Sequence, residues 1–130
     1  MINKNKLFFK INKYIYYSTF FLLTNFIYAD VPEKQKHEVE HLLNFVKNSP
    51  CVINRNGTDY NGVDALAHIQ KKYDYFKDKI STTEQFIEYS ATKSTMSDQH
   101  YTVKCKNNAP IKTRDWLLNE LNTYRKSIKH

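Results

Sequence analysis

The sequence predicts an α+β fold, mainly helical, with about four helices packed on a two-stranded antiparallel ribbon. Three observations carry that expectation. Apolar residues recur at helical spacing in four stretches. Two short segments are β-prone, residues 51–55 (CVINR) and 101–105 (YTVKC). The two cysteines bracket these segments, Cys51 opening the first and Cys105 closing the second, so an antiparallel pairing would bring them together.

The elements follow in order. A first helix is expected over residues 32–48, where Val39, Leu42, Leu43 and Val46 share a face. Pro32 suits a first turn, and Pro50 stops the helix because the residue before proline avoids helical geometry. Residues 51–55 form the first strand, and Asn56-Gly57 marks a tight turn because both residues tolerate positive φ. Asn56-Gly57-Thr58 also spells a glycosylation acceptor. A second helix runs over residues 61–79, with Asp64 in its first turn and Leu66, Ile69, Tyr73, Phe76 and Ile80 on one face. A third begins at STTE, where Ser81 and Glu84 form a capping box, and continues through Phe86, Ile87, Ser90 and Ala91. A turn leads to the second strand, residues 101–105, and residues 107–110 form a loop. The last helix begins near Thr113 and buries Leu117, Leu121, Tyr124 and Ile128. A two-stranded ribbon is weak in water unless helices cover it.

The start of the 130-residue chain differs from the rest. Lys4, Lys6, Lys10 and Lys13 precede a charge-free run, YIYYSTFFLLTNFIYA, that ends at Ala29 before Asp30. This is the layout of a secretory signal peptide over residues 1–29, cleaved after Ala29 to leave residues 30–130 as a single exported domain. The run of 16 residues contains Ser18, Thr24 and Asn25, and a spanning helix needs roughly 20 mostly apolar ones. The alternative is an uncleaved anchor, the one route by which the chain would meet a membrane.

Removing the leader changes the charge argument. It holds four of the 20 Lys+Arg and none of the 13 Asp+Glu, so the remainder carries 16 against 13. The basic balance therefore reflects targeting and is no argument for nucleic-acid binding, which needs charges clustered on one face. An even cysteine count in an exported chain points to a Cys51–Cys105 disulfide rather than two buried thiols. Together these features place the protein outside the cytoplasm, in the periplasm.

Residues 37–41, HEVEH, match the H-E-x-x-H spacing of zinc metalloproteases, in which two imidazoles hold the metal and the glutamate serves as general base. This gives an alternative function, a zinc-dependent hydrolase using His37, Glu38 and His41. Four observations weigh against it. At about 100° per residue both histidines fall away from the apolar stripe, toward solvent. The extended motif would need Gly at 44 and His at 47, where the chain has Asn44 and Lys47. Little chain precedes the helix to present a substrate strand. Three specified residues arise by chance in a helix rich in His and Glu.

A second constellation lies on the next helix and the turn before it. His68, Lys72 and Tyr75 form one stripe at i, i+4 and i+7. Arg55, Asn56 and Tyr60 precede the helix and can lie near its start. Donors of this kind suit an anionic group or a peptide, and Arg55, Asn56, Tyr60, His68 and Lys72 are the candidate binding residues. The plainer reading is a charged helix face beside a structural turn. No nucleophile elbow, phosphate loop or dinucleotide fingerprint occurs, and with Gly57 and Gly62 the only glycines there is no Gly-rich cradle. Ser90, Ser94 and Ser97 near His100 lack a placed acid for a serine–histidine pair. No cofactor, catalytic residue or metal ligand is expected.

The segments CVINRNGTDYNGVDALAHIQKKYDYF, TTEQFIEYSATKSTMSDQHYTVKC and WLLNEL together resemble the YfeK-like family of small exported bacterial proteins, a domain of unknown function. The matching features are Arg55-Asn56-Gly57 and Tyr60, then Ala65, His68 and Lys72. They continue with Thr82, Glu84, Phe86 and Ile87, the Ser94–Ser97 turn, and the YTVKC strand. The chain departs from the pattern at Asp98-Gln99-His100, where members often carry Gly-Lys-Pro, and HEVEH is not part of it. The resemblance implies export and an envelope location and supplies no activity. The leading expectation is thus a non-enzymatic module that binds an envelope protein, a peptide or a small ligand. A third reading is a structural or inhibitory protein that docks through its helix faces.

Overall fold

The computed structural model describes residues 30–129, so the leader expected over residues 1–29 lies outside the described residues. The first helix, α1 (Glu33–Asn48), starts after Pro32, whose carbonyl accepts from Gln35 N at 2.7 Å. It buries Val39, Leu42 and Val46 and stops at Ser49, extended before Pro50.

Strand β1 (Val52–Arg55) turns back through Asn56 and Gly57 into β2 (Thr58–Tyr60). Both turn residues have positive φ, 51° and 80°, the requirement of the two-residue hairpin turn whose twist matches the strands. Helix α2 (Gly62–Phe76) is capped by the Asn61 side chain, which accepts from Asp64 N at 2.8 Å. It gives way to a 3-10 turn (Lys77–Lys79) rather than running unbroken to residue 79.

Helix α3 (Thr83–Ala91) is capped one residue later than expected. Thr82 Oγ1 accepts from Gln85 N, and the Gln85 side chain reaches back to Ser81 N and Oγ, each at 2.8 Å. Thr82 and Gln85 thus take the roles expected of Ser81 and Glu84, because Thr83 must turn inward and is fully buried. The chain ends with β3 (Thr102–Lys104), β4 (Ile111–Lys112) and α4 (Thr113–Ser127). In α4 Leu117 and Leu121 are buried and Tyr124 half-buried, whereas Ile128, past the helix end, is 61% exposed.

The described residues thus form an α+β fold with four α-helices, as expected, but the sheet has four antiparallel strands in the order β2-β1-β3-β4, not two. The central β1–β3 pair matches the expected ribbon, with Ile53 opposite Val103, both buried. The added strands are short and exposed. The hairpin turn lays β2 on β1, and β4 is two residues laid beside β3 just before α4. Such strands carry no buried alternation, so no period-two pattern announces them.

The Cys51–Cys105 disulfide is formed. Its residues continue the β1–β3 register by one step beyond Val52 and Lys104, with Cα atoms 4.4 Å apart, the spacing of directly opposed residues. Helix α2 packs on β1 and β2, and α4 on β3 and β4. The core lies between the sheet's inner face and the helices, where Leu42, Ile53, Phe86, Ile87, Val103 and Leu117 are almost wholly enclosed. On the other side Val52 is 43% exposed. No described helix is long and apolar enough to cross a membrane.

Candidate functional site

The disulfide register decides what stands beside Arg55. With Cys51 opposite Cys105 and Asn54 opposite Thr102, the next step brings Arg55 across from Tyr101. The hairpin sets Tyr60 opposite Ile53, two residues back along the strand and on the same sheet face as Arg55. Helix α2 then lays His68 and Lys72, one turn apart, over that face.

The resulting cluster is cationic and aromatic. The Arg55 guanidinium carbon lies 5.3 Å from the Tyr60 ring centre and 5.2 Å from that of Tyr101, within cation–π range of both. Lys72 Nζ is 5.3 Å from the Tyr101 ring and donates to the Lys93 carbonyl at 2.6 Å. The His68 ring meets Tyr60 edge-on, with centres 4.9 Å apart. Burial holds the His68 pKa below the ordinary histidine value, and the positive charges of Arg55 and Lys71 push it the same way. Asn56 sits at the rim, its Oδ1 accepting from Ser97 Oγ at 2.8 Å.

Four of the five expected residues therefore form one chain of contacts, His68 on Tyr60, Tyr60 on Arg55, and Arg55 and Lys72 on Tyr101, and the fifth ties the hairpin to the Ser94–Ser97 turn. Tyr75, placed on the same stripe by spacing, is not part of the cluster. It is 77% exposed and meets Phe76 edge-on.

Beneath the cluster is a cavity of about 10 Å³ bounded by Arg55, His68, Lys72, Ser90, Tyr101 and Thr113, with Ile53, Ala65, Ile69 and Ala91 as its apolar wall. Among the described residues, Arg55 Nε, Ser90 Oγ and Thr113 Oγ1 are buried polar side-chain atoms without a hydrogen-bond partner. All three belong to residues lining this cavity. Nor does Arg55 have a carboxylate partner among the described residues. Sequence reasoning missed Tyr101, Ser90 and Thr113. Tyr101 had a signal, since opposed cysteines fix Arg55 and Tyr101 as partners four residues on. Ser90 and Thr113 had none, because helix packing alone brings them there.

The HEVEH residues take other roles. His37 is exposed, with Nδ1 3.8 Å from Glu40. His41 departs from the expectation of a solvent-facing ring. It is half-buried against α4, its Nε2 2.7 Å from Glu120 Oε1 and its ring stacked on Tyr124 at 4.0 Å. Helix α4 packs beyond the apolar stripe of α1 and covers this polar side, which a single-helix projection cannot show. Glu38 accepts from Arg125 Nε at 2.8 Å and Nη2 at 2.9 Å, and from Thr83 Oγ1 at 2.6 Å. A carboxylate fixed by a guanidinium fork is a poor general base, because the charge partner favours its ionised, hydrogen-bonded form. Among the described residues no three His, Cys, Asp or Glu side chains are grouped to hold a metal ion. Of the serines near His100, Ser90 is buried in the cavity, and Ser97 serves the Asn56 contact.

Comparison with known proteins adds a family and no activity. The model of the family of unknown function DUF5329 matches residues 33–125, and the chain belongs to that family. No curated protein matches the chain, and no solved structure does.

Proposed function

We propose that this DUF5329 member is a non-enzymatic binding module of the bacterial envelope, exported by the 1–29 leader and working in the periplasm. It engages an envelope protein, a peptide or a small ligand through the Arg55–Tyr60–His68–Lys72 cluster. The likeness to the YfeK-like exported proteins and the Cys51–Cys105 bridge both support export, since disulfides persist in oxidising compartments.

One observation carries the binding reading: a half-buried guanidinium held between two tyrosine rings without a carboxylate to neutralise it. Burying an unpaired charge is costly, and an anionic group on a partner would offset that cost. The test compares partner capture from envelope extracts by the wild type, Arg55→Ala and His68→Ala, alongside thermal melts. Lost capture with melts that stay cooperative and, in chloride-free buffer, nearly unchanged is the expected result. Capture retained by both variants, or melts that collapse, would assign these residues to structure instead.

A further inference from the structure

The cluster described above also specifies what kind of group it holds. Three of the residues that line the cavity under Tyr101 each carry a buried polar atom without a partner: Arg55 Nε, Ser90 Oγ and Thr113 Oγ1. Ser90 and Thr113 are themselves almost completely enclosed. Arg Nε–H is a donor only, whereas the two hydroxyls rotate to donate or accept. The residues around this one small cavity can therefore supply three donors.

Charge and size narrow the occupant. A water molecule would satisfy three polar atoms, but it would leave the Arg55 charge uncompensated. The neighbouring charges add to the need. Lys72 lines the cavity without a carboxylate partner among the described residues, and Lys71 acts on His68 in the same positive sense as Arg55. Among the described residues Asp64 offsets these at His68, and its effect is the smallest there. The cavity is small, about 10 Å³, and suits a single-atom ion rather than a four-oxygen anion such as phosphate or sulfate.

We propose that the cavity between Arg55, Ser90 and Thr113 is a halide site, filled in the cell by chloride, whose negative charge neutralises the guanidinium stacked on Tyr60 and Tyr101. This deepens the binding-module reading and rests on it for the cluster's purpose, because a halide seated here would hold Arg55 in place for a partner.

The first test is a thermal melt of the wild type in sodium chloride and in sodium gluconate at matched ionic strength. Above the dissociation constant, each tenfold rise in chloride should lift the melting temperature by roughly 5 °C, while gluconate should not. Arg55→Gln should abolish the difference, and Ser90→Ala should shrink it. The second test needs no variant: crystals of the wild type grown in bromide should show an anomalous peak between Arg55 Nε, Ser90 Oγ and Thr113 Oγ1. Melts that follow ionic strength alone, with no bromide peak, would leave a buried water only and overturn the halide site. Partner capture separates the two readings. Capture that depends on Arg55 without any halide response defeats the halide site alone, and a bromide peak with capture indifferent to Arg55→Ala defeats the binding-module reading alone.

Discussion

Glu38 and Arg125, 87 residues apart, meet in a two-pronged pair: Nε to Oε1 at 2.8 Å and Nη2 to Oε2 at 2.9 Å. The same arginine reaches Glu84 through Nη1 at 2.5 Å, and Glu38 also accepts from Thr83 Oγ1. One guanidinium thus joins α1, α3 and α4. The glutamate that sequence spacing makes a metalloprotease base is one jaw of an interhelical clamp.

Glu38→Gln should therefore cost stability. Hydrogen bonds to charged groups contribute about 1.5–3 kcal/mol each, and the Glu38 side chain is mostly enclosed. A loss on the order of 2 kcal/mol in urea unfolding is expected. A variant with a wild-type urea midpoint would show that the clamp contributes nothing.

The clamp also sets an acid limit. The hydrogen bond from Arg125 holds the Glu84 pKa below its ordinary value of 4.5. A depressed folded-state pKa gives stability that is fully present above 4.5 and lost as pH falls through the lower folded value. Unfolding midpoints measured at descending pH should drop below pH 4.5, and Glu84→Gln should flatten that limb. An unchanged limb would place the acid sensitivity elsewhere.

Two glycines should fail for different reasons. A Cβ on Gly57 meets nothing within 4 Å, so Gly57→Ala costs only the strain of a φ of +80°, about 1–2 kcal/mol. A Cβ on Gly62 would lie 2.3 Å from the Val46 carbonyl oxygen and 2.9 Å from that of Lys47. Gly62→Ala must push α1 and α2 apart and should cost about 3 kcal/mol or more. Chemical denaturation of both variants should rank them in this order; the reverse would contradict the close approach of α2 to the end of α1.

His68 should titrate below the ordinary histidine value of 6.5 when followed by proton NMR. Arg55→Gln should raise its pKa only part of the way back, because burial is the larger cause. A depressed histidine pKa means that stability present above pH 6.5 falls as pH drops through the folded value. A His68 pKa at or above 6.5 would contradict the burial of the ring beside Arg55 and Lys71.

The exported form should have a mass beginning at Asp30 and two hydrogens below the dithiol value. Reduction of the Cys51–Cys105 bond, which closes 54 residues, should lower stability by roughly 4 kcal/mol in the chain-entropy model. Urea unfolding with and without reductant measures this. No difference would mean that helix packing alone holds β1 to β3.

The helices were legible because a 3.6-residue apolar period survives in α1, α2 and α4, and the caps lay within a residue of where Asn61 and the STTE segment put them. Strands β2 and β4 were not, since neither contains a buried residue and both exist by pairing with a neighbour. The Asn56-Gly57 turn was read correctly, yet the strand it returns was not, because Thr58–Tyr60 has no alternation of its own. At the site, Arg55, Tyr60, His68 and Lys72 came from their chemistry and spacing. Tyr101, the ring that Arg55 and Lys72 share, needed the register, and the buried hydroxyls of Ser90 and Thr113 needed helix packing. His41 shows the limit of a helical wheel, which cannot foresee a polar neighbour such as α4.

The disulfide has a mechanical consequence. It joins the middle of the chain to itself and leaves α1 on one side and α4 on the other, outside the closed loop. A protein pulled from its two ends would transmit load from residue 51 to residue 105 through sulfur. Helices α1 and α4 would bear tension and peel away, while β2, α2 and α3 would be shielded from it. The segment between the cysteines, a separation of 54 residues, would keep back roughly 180 Å of extensible length, released in one step when the bond is reduced.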